Sequence, residues 1–146
     1  GLGAHGQPYH SGTPAGGPPW RTILNSGAVA VGAGSDGARI NVLNPWAIIY
    51  YMVTGINVNG ELTNAEETVS RHDAVYMYSS VEQGWFTKED DLLGGIGVGR
   101  FADIAVLNAD VFDPDEVSDA DIRHMTSVLT IVGGEIVHDA GVLAIP

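Results

Sequence analysis

Hydrophobic and polar positions divide this chain into short segments of different period. Residues 28–34, Ala-Val-Ala-Val-Gly-Ala-Gly, are an unbroken run of small and β-branched side chains between Gly27 and the polar pair Ser35-Asp36. Such a run, without polar alternation, fits a strand buried on both faces, as in a parallel sheet. Residues 2–7 are a shorter extended candidate broken by Gly, and a loop dense in Gly and Pro follows over 8–19. Residues 20–25 fit one or two helical turns stopped by Ser26-Gly27. Asn44-Pro45 combines an N-cap side chain with Pro at the first helical position, and residues 46–54 are apolar nearly all round before Gly55 ends them. That helix is expected to be buried.

Downstream the periods change. Thr63-x-x-Glu66 and Ser70-x-x-Asp73 are two capping-box-like signals, and the second opens a helix predicted over about 71–82, with Ala74, Tyr78 and Val81 on one face. Residues 94–99, Gly-Gly-Ile-Gly-Val-Gly, read as a flexible connector. Residues 101–107 then alternate, with Ala102, Ile104 and Val106 on one side and Asp103 on the other. Residues 127–132 and 135–138 flank Gly133-Gly134, a two-residue hairpin turn that needs positive φ at both positions. Helical and parallel-strand signals fill the first half, antiparallel signals the end, and the two parts meet near 94–99.

Composition narrows the classes of function. The chain has 146 residues, 18 acidic and 6 basic, a formal net charge of -12 and no Cys. A chain of this length buries roughly 70% of its unfolded surface and needs no disulfide or structural metal to supply a core. The absence of Cys removes thiolate metal sites and Cys nucleophiles. The few cations argue against nucleic acid, which is held by clustered Lys and Arg. No apolar run approaches the span of about 18 residues that crosses a bilayer, so a membrane protein is not expected. Gly1 opens directly into apolar sequence, and the start reads as a cut.

The charge is unevenly placed. Of the acidic residues, 17 fall between Glu61 and Asp139, and Asp36 is the single acid in residues 1–60, which also hold 12 of the 20 Gly. The first 60 residues therefore read as buried or as lining a site, and the acidic remainder as solvated faces.

Candidate chemistry is sparse. Gly32-Ala-Gly34-Ser-Asp36-Gly37 matches the spacing of a dinucleotide fingerprint, but Asp36 would push a carboxylate toward the phosphate, and the next helix signal comes only at Pro45. At the end of a buried parallel strand, among Gly and Ser, Asp36 instead has the place of a carboxylate that ligates a metal or takes a proton from bound water. A helix cap or a buried hydrogen-bonded Asp is the structural alternative. His5, His10, His72, His124 and His138 show no His-x-His or His-Glu-x-x-His spacing, so a complete metal site is not encoded. Asp113-Pro-Asp115-Glu lacks the Gly and closing Glu of a calcium loop and reads as a solvated acidic turn.

Several short motifs occur in a telling order: Gly34-Ser-Asp36, Asn44-Pro-Trp46, Ser70-Arg-His-Asp-Ala74, Leu93-Gly94, Val98-Gly-Arg-Phe-Ala-Asp103, Val106-Leu-Asn-Ala-Asp110 and Thr130-Ile-Val-Gly-Gly-Glu-Ile-Val137. In order and spacing they resemble the C-terminal part of amidohydrolase-superfamily enzymes, the amidohydrolase-3 group above all, over about residues 2–138. The resemblance implies an α/β fold: the last strands and helices of a (β/α)8 TIM barrel plus C-terminal strands of a small β-sandwich, as a composite domain. It places strand 7 at 2–7, strand 8 at 28–34, the barrel part at 1–93 and the sandwich segment at 94–146.

It also implies that Asp36 is the family's last-strand Asp, both a metal contact and the proton acceptor from metal-activated water. The family's other metal ligands lie on earlier strands that this chain lacks. The expectation is therefore a fragment of a metal-dependent hydrolase cleaving amide or other C–N bonds in a small-molecule substrate, inactive alone. A divalent metal, zinc being expected, belongs to the full-length parent, and none should be tightly bound to this chain. Two barrel strands leave edges and an apolar face uncovered, so a homo-oligomer is expected. The rival is a non-enzymatic acidic interaction module with Asp36 structural.

Overall fold

The computed structural model describes residues 17–35, 43–80 and 85–143. The strand expected at 2–7, together with His5, His10, Asp36 and Val81, lies outside those residues. The described part is mixed α/β, with a helical layer followed by a small antiparallel sheet.

Helix α1, Trp20–Asn25, follows Pro18-Pro19 and ends as expected at Ser26, whose N–H bonds to the Ile23 carbonyl, and at Gly27 with φ 75°. Helix α2, Pro45–Thr54, also begins and stops where its sequence signals stand. Asn44 Oδ1 accepts from the Trp46 amide at 3.0 Å, Pro45 opens the helix, and Gly55 closes it in the left-handed region at φ 71°. Ile48, Ile49, Tyr50, Tyr51 and Met52 are all buried.

Helix α3, Arg71–Ser79, starts at Ser70, whose Oγ accepts from the Asp73 amide and donates to the Asp73 carboxylate at 2.6 Å. It stops short of the predicted 82, because Ser80 is already extended. Ala74 and Met77 form its buried face, with Tyr78 partly buried beside them. The other capping-box signal does not cap. The 3-10 turn Ala65–Glu67 takes Asn64 as its N-cap residue without a side-chain bond, and the Thr63 hydroxyl pairs instead with the Tyr51 hydroxyl at 2.9 Å.

Residues 28–35 form no strand. Val31 is buried, Val29 is 84% exposed, and the backbone is held where the Ala33 amide donates to the Met77 carbonyl at 2.9 Å. A strand buried on both faces needs neighbours on both edges and covers on both sides. Among the described residues no strand pairs with this one, so its apolar side chains find a cover on the helical side only. Among the described residues helix α2 likewise has no sheet as its main packing partner. It lies against the 3-10 helix Asp119–His124 and against α3.

Met52, Met77, Val111 and Ile122 are almost fully buried in the resulting core, and Arg123 stacks over the Tyr50 ring at 5.2 Å. The chain on either side of 94–99 therefore shares one core. Arg100 organises that connector by donating from one guanidinium nitrogen to the carbonyls of Asp90 and Leu93, both at 2.6 Å.

Strands β1 (Ile104–Leu107), β2 (Ser127–Val132) and β3 (Glu135–Asp139) form an antiparallel sheet in the order β1-β2-β3. The Gly133-Gly134 turn has φ of 58° and 87°, the positive pair its hairpin requires. In β1 Val106 is exposed and Leu107 packs against the core, and the register to β2 shifts between them, where Val128 of β2 is the extra residue.

Candidate functional site

Two segments that precede Asp36 in the sequence come together around a cleft of about 370 Å³. One wall is Pro18, Trp20 and Ile23; the other is residues 30–35, with Met77 and Phe86 completing it. Trp20 is buried and meets the Tyr51 ring edge-on, with centroids 5.4 Å apart. Burial pushes the Tyr51 hydroxyl pKa up, and the hydrogen bond with Thr63 partly offsets that rise. No charged side chain lines the cleft among the described residues, and Ser35 brings the single hydroxyl. Asp36 is the next residue, outside those described. A depression of about 490 Å³ by Tyr50, Thr68 and Asp119 is larger but more open, and Asp119 there is engaged in an ion pair with Arg71 at 2.6 Å.

Two residues that the sequence reading passed over hold the first wall. The Glu67 carboxylate, buried despite its charge, accepts from the Thr22 amide at 2.8 Å and from the Thr22 hydroxyl at 2.5 Å. Asn64, fully buried, donates from Nδ2 to the Pro18 carbonyl at 3.0 Å. Nothing in the local sequence singles them out, since their partners lie about 45 residues away.

Several described residues that carried the resemblance have structural work. Ser70 caps α3, while Arg71 donates to Asp119 and to the Val111 carbonyl. Asp103 Oδ1 accepts from the Gly133 amide at 2.7 Å and so ties β1 to the hairpin turn. Asn108 Oδ1 accepts from the Thr126 amide, and Asp110 Oδ1 from the Phe112 amide. Asp113 bonds the Asp115 amide within an exposed loop, the solvated acidic turn expected there.

Among the described residues no group of three or more His, Asp or Glu side chains is arranged to hold a metal ion. His72 stacks on Tyr76 with centroids 6.1 Å apart, and His124 Nε2 accepts from Arg123 Nε at 3.3 Å. These side chains do not fit a divalent metal centre. No described helix is long and apolar enough to cross a membrane. The protein-family model described as "Amidohydrolase family" matches residues 2–138. Neither a curated protein nor a solved structure matches the chain.

Proposed function

This chain belongs to the amidohydrolase family, and on that basis we propose that it is the C-terminal part of a hydrolase acting on amide or other C–N bonds, with Asp36 as its catalytic carboxylate. The observation that carries the reading is the family match over residues 2–138, which takes in both walls of the cleft and also Asp36, the residue after Ser35 in the sequence. In this reading Asp36 accepts a proton from the water that attacks the substrate carbonyl carbon. The proton then passes to the departing nitrogen as the C–N bond breaks. The apolar cleft beside Ser35 accommodates an uncharged portion of the substrate. The family's divalent metal, for which zinc is our expectation, would need donors beyond the described residues.

The test is Asp36→Asn in the complete enzyme. The change keeps the size of the side chain and removes the proton acceptor, so turnover should fall by roughly 10² to 10⁴, the range typical of a general base. Turnover close to that of the parent enzyme, at saturating divalent metal, would show that Asp36 is a structural cap.

A further inference from the structure

Helix α1 has six residues and no N-cap side chain of its own, because Pro19 stands at the cap position. So short a helix is not stable by itself. The acceptor for its third residue, Thr22, comes instead from Glu67. Burying a carboxylate is costly unless its oxygens are satisfied, and both Glu67 oxygens are taken by Thr22, one by the amide and one by the hydroxyl. Arg21 adds hydrogen bonds to the Thr68 carbonyl at 2.9 Å and to the Thr68 hydroxyl at 3.0 Å. Asn64 holds the Pro18 carbonyl, and a Cβ at position 17 would come within 2.3 Å of Asn64 Cγ, so Gly17 is what lets the two segments touch.

The two walls of the cleft are thus anchored separately. Pro18, Trp20 and Ile23 are tied to residues 64–68, whereas residues 30–35 are tied to α3 through Ala33 and Met77. Neither Asn64 nor Glu67 lines the cleft.

We infer that Glu67 and Asn64 are positioning residues: they set where the Trp20 wall stands against residues 30–35, and hence the width of the cleft. The functional meaning of that width rests on the reading of the cleft as the substrate side. The device itself is tested without substrate, so a failure of one can be told from a failure of the other.

The experiment separates reach from charge. Glu67→Asp keeps the charge but withdraws the carboxylate by one methylene, while Glu67→Gln keeps the reach and an acceptor oxygen. In a chain with Trp46→Phe and Trp85→Phe, acrylamide quenching then reports Trp20 alone, and amide hydrogen exchange reports Thr22 against Met125 of the core. Glu67→Asp should speed Thr22 exchange on the order of 3- to 30-fold, the scale of a lost helix cap, and should raise Trp20 quenching. Glu67→Gln should stay close to the parent chain in both, and Met125 should be unmoved throughout. Thr22 exchange and Trp20 quenching unchanged in Glu67→Asp would overturn the inference. So would acceleration of Met125 equal to that of Thr22, which would mark a general loss of stability.

Discussion

Gly55→Ala perturbs the point on which the site's support turns, and Gly60→Ala is its control. Both glycines have positive φ, 71° and 82°, so an Ala at either pays about 1–2 kcal/mol for the left-handed conformation. The gain from a less flexible unfolded chain returns about 0.4–1 kcal/mol. At Gly60 the account ends there, because a Cβ would meet nothing within 4 Å. At Gly55 the Cβ would lie 2.9 Å from the Asn64 carbonyl carbon and 3.0 Å from the Ala65 nitrogen, both backbone atoms. Backbone cannot swing aside as a flexible side chain can, and forced overpacking adds about 1–3 kcal/mol.

Gly55→Ala should therefore cost about 1–3 kcal/mol more than Gly60→Ala, which itself costs about 1.5 kcal/mol or less. Urea denaturation reads the difference: at a slope of about 2 kcal/mol per molar, the midpoint of Gly55→Ala should lie roughly 0.5–1.5 M below that of Gly60→Ala. Because the Gly55 carbonyl also accepts from the Thr63 and Asn64 amides, the first variant should loosen Thr22 as well. Equal midpoints for the two variants would refute the steric argument.

Two further outcomes concern titratable groups. Burial pushes the Tyr78 hydroxyl to a pKa of about 12, and that hydroxyl is buried without a hydrogen-bond partner among the described residues. Because the folded chain resists ionising this group, stability is undiminished by it below the ordinary value of 10.0 and falls as pH rises toward 12; Tyr78→Phe should remove this alkaline loss and, by deleting an unsatisfied buried hydroxyl, raise stability near neutrality by about 1 kcal/mol in urea. A loss of that size would show that the hydroxyl is bonded. Partial burial pushes the Asp139 carboxyl up, but the amides of Val142, Gly141 and Leu143, with His138, outweigh it and hold the pKa below 3.8. The stabilisation is therefore present above 3.8 and lost as pH falls through the lower folded value; the Gly141 and Val142 amide resonances should titrate with a midpoint below 3.8, and a midpoint at or above it would contradict the turn geometry.

Elements whose causes are local were legible along the chain. Asn44-Pro45 and Gly55 delimit α2, Ser70 and Asp73 open α3, and Gly133-Gly134 makes the hairpin, because caps and turns depend on side chains and φ angles within a few residues. The ordered motifs also disclosed the family, and some of their residues act locally in the same way: Ser70 caps α3, and Asp110 bonds an amide two residues on.

Tertiary structure decided what depends on partners. Residues 28–34 carry the composition of a two-faced strand, but a strand exists only as a pairing, and their cover comes from α3 on one side. In β1 it is Leu107, and not the expected Val106, that meets the core, because which face of a strand is covered is set by what packs on it. Glu67 shows the principle most plainly. In the sequence it is one acid among many on a stretch that reads as solvated, and it becomes a buried cap only because folding brings Thr22 within 2.8 Å of it. A buried charge is tolerable when its hydrogen bonds are made, and whether they are made is settled by segments 45 residues apart in the chain.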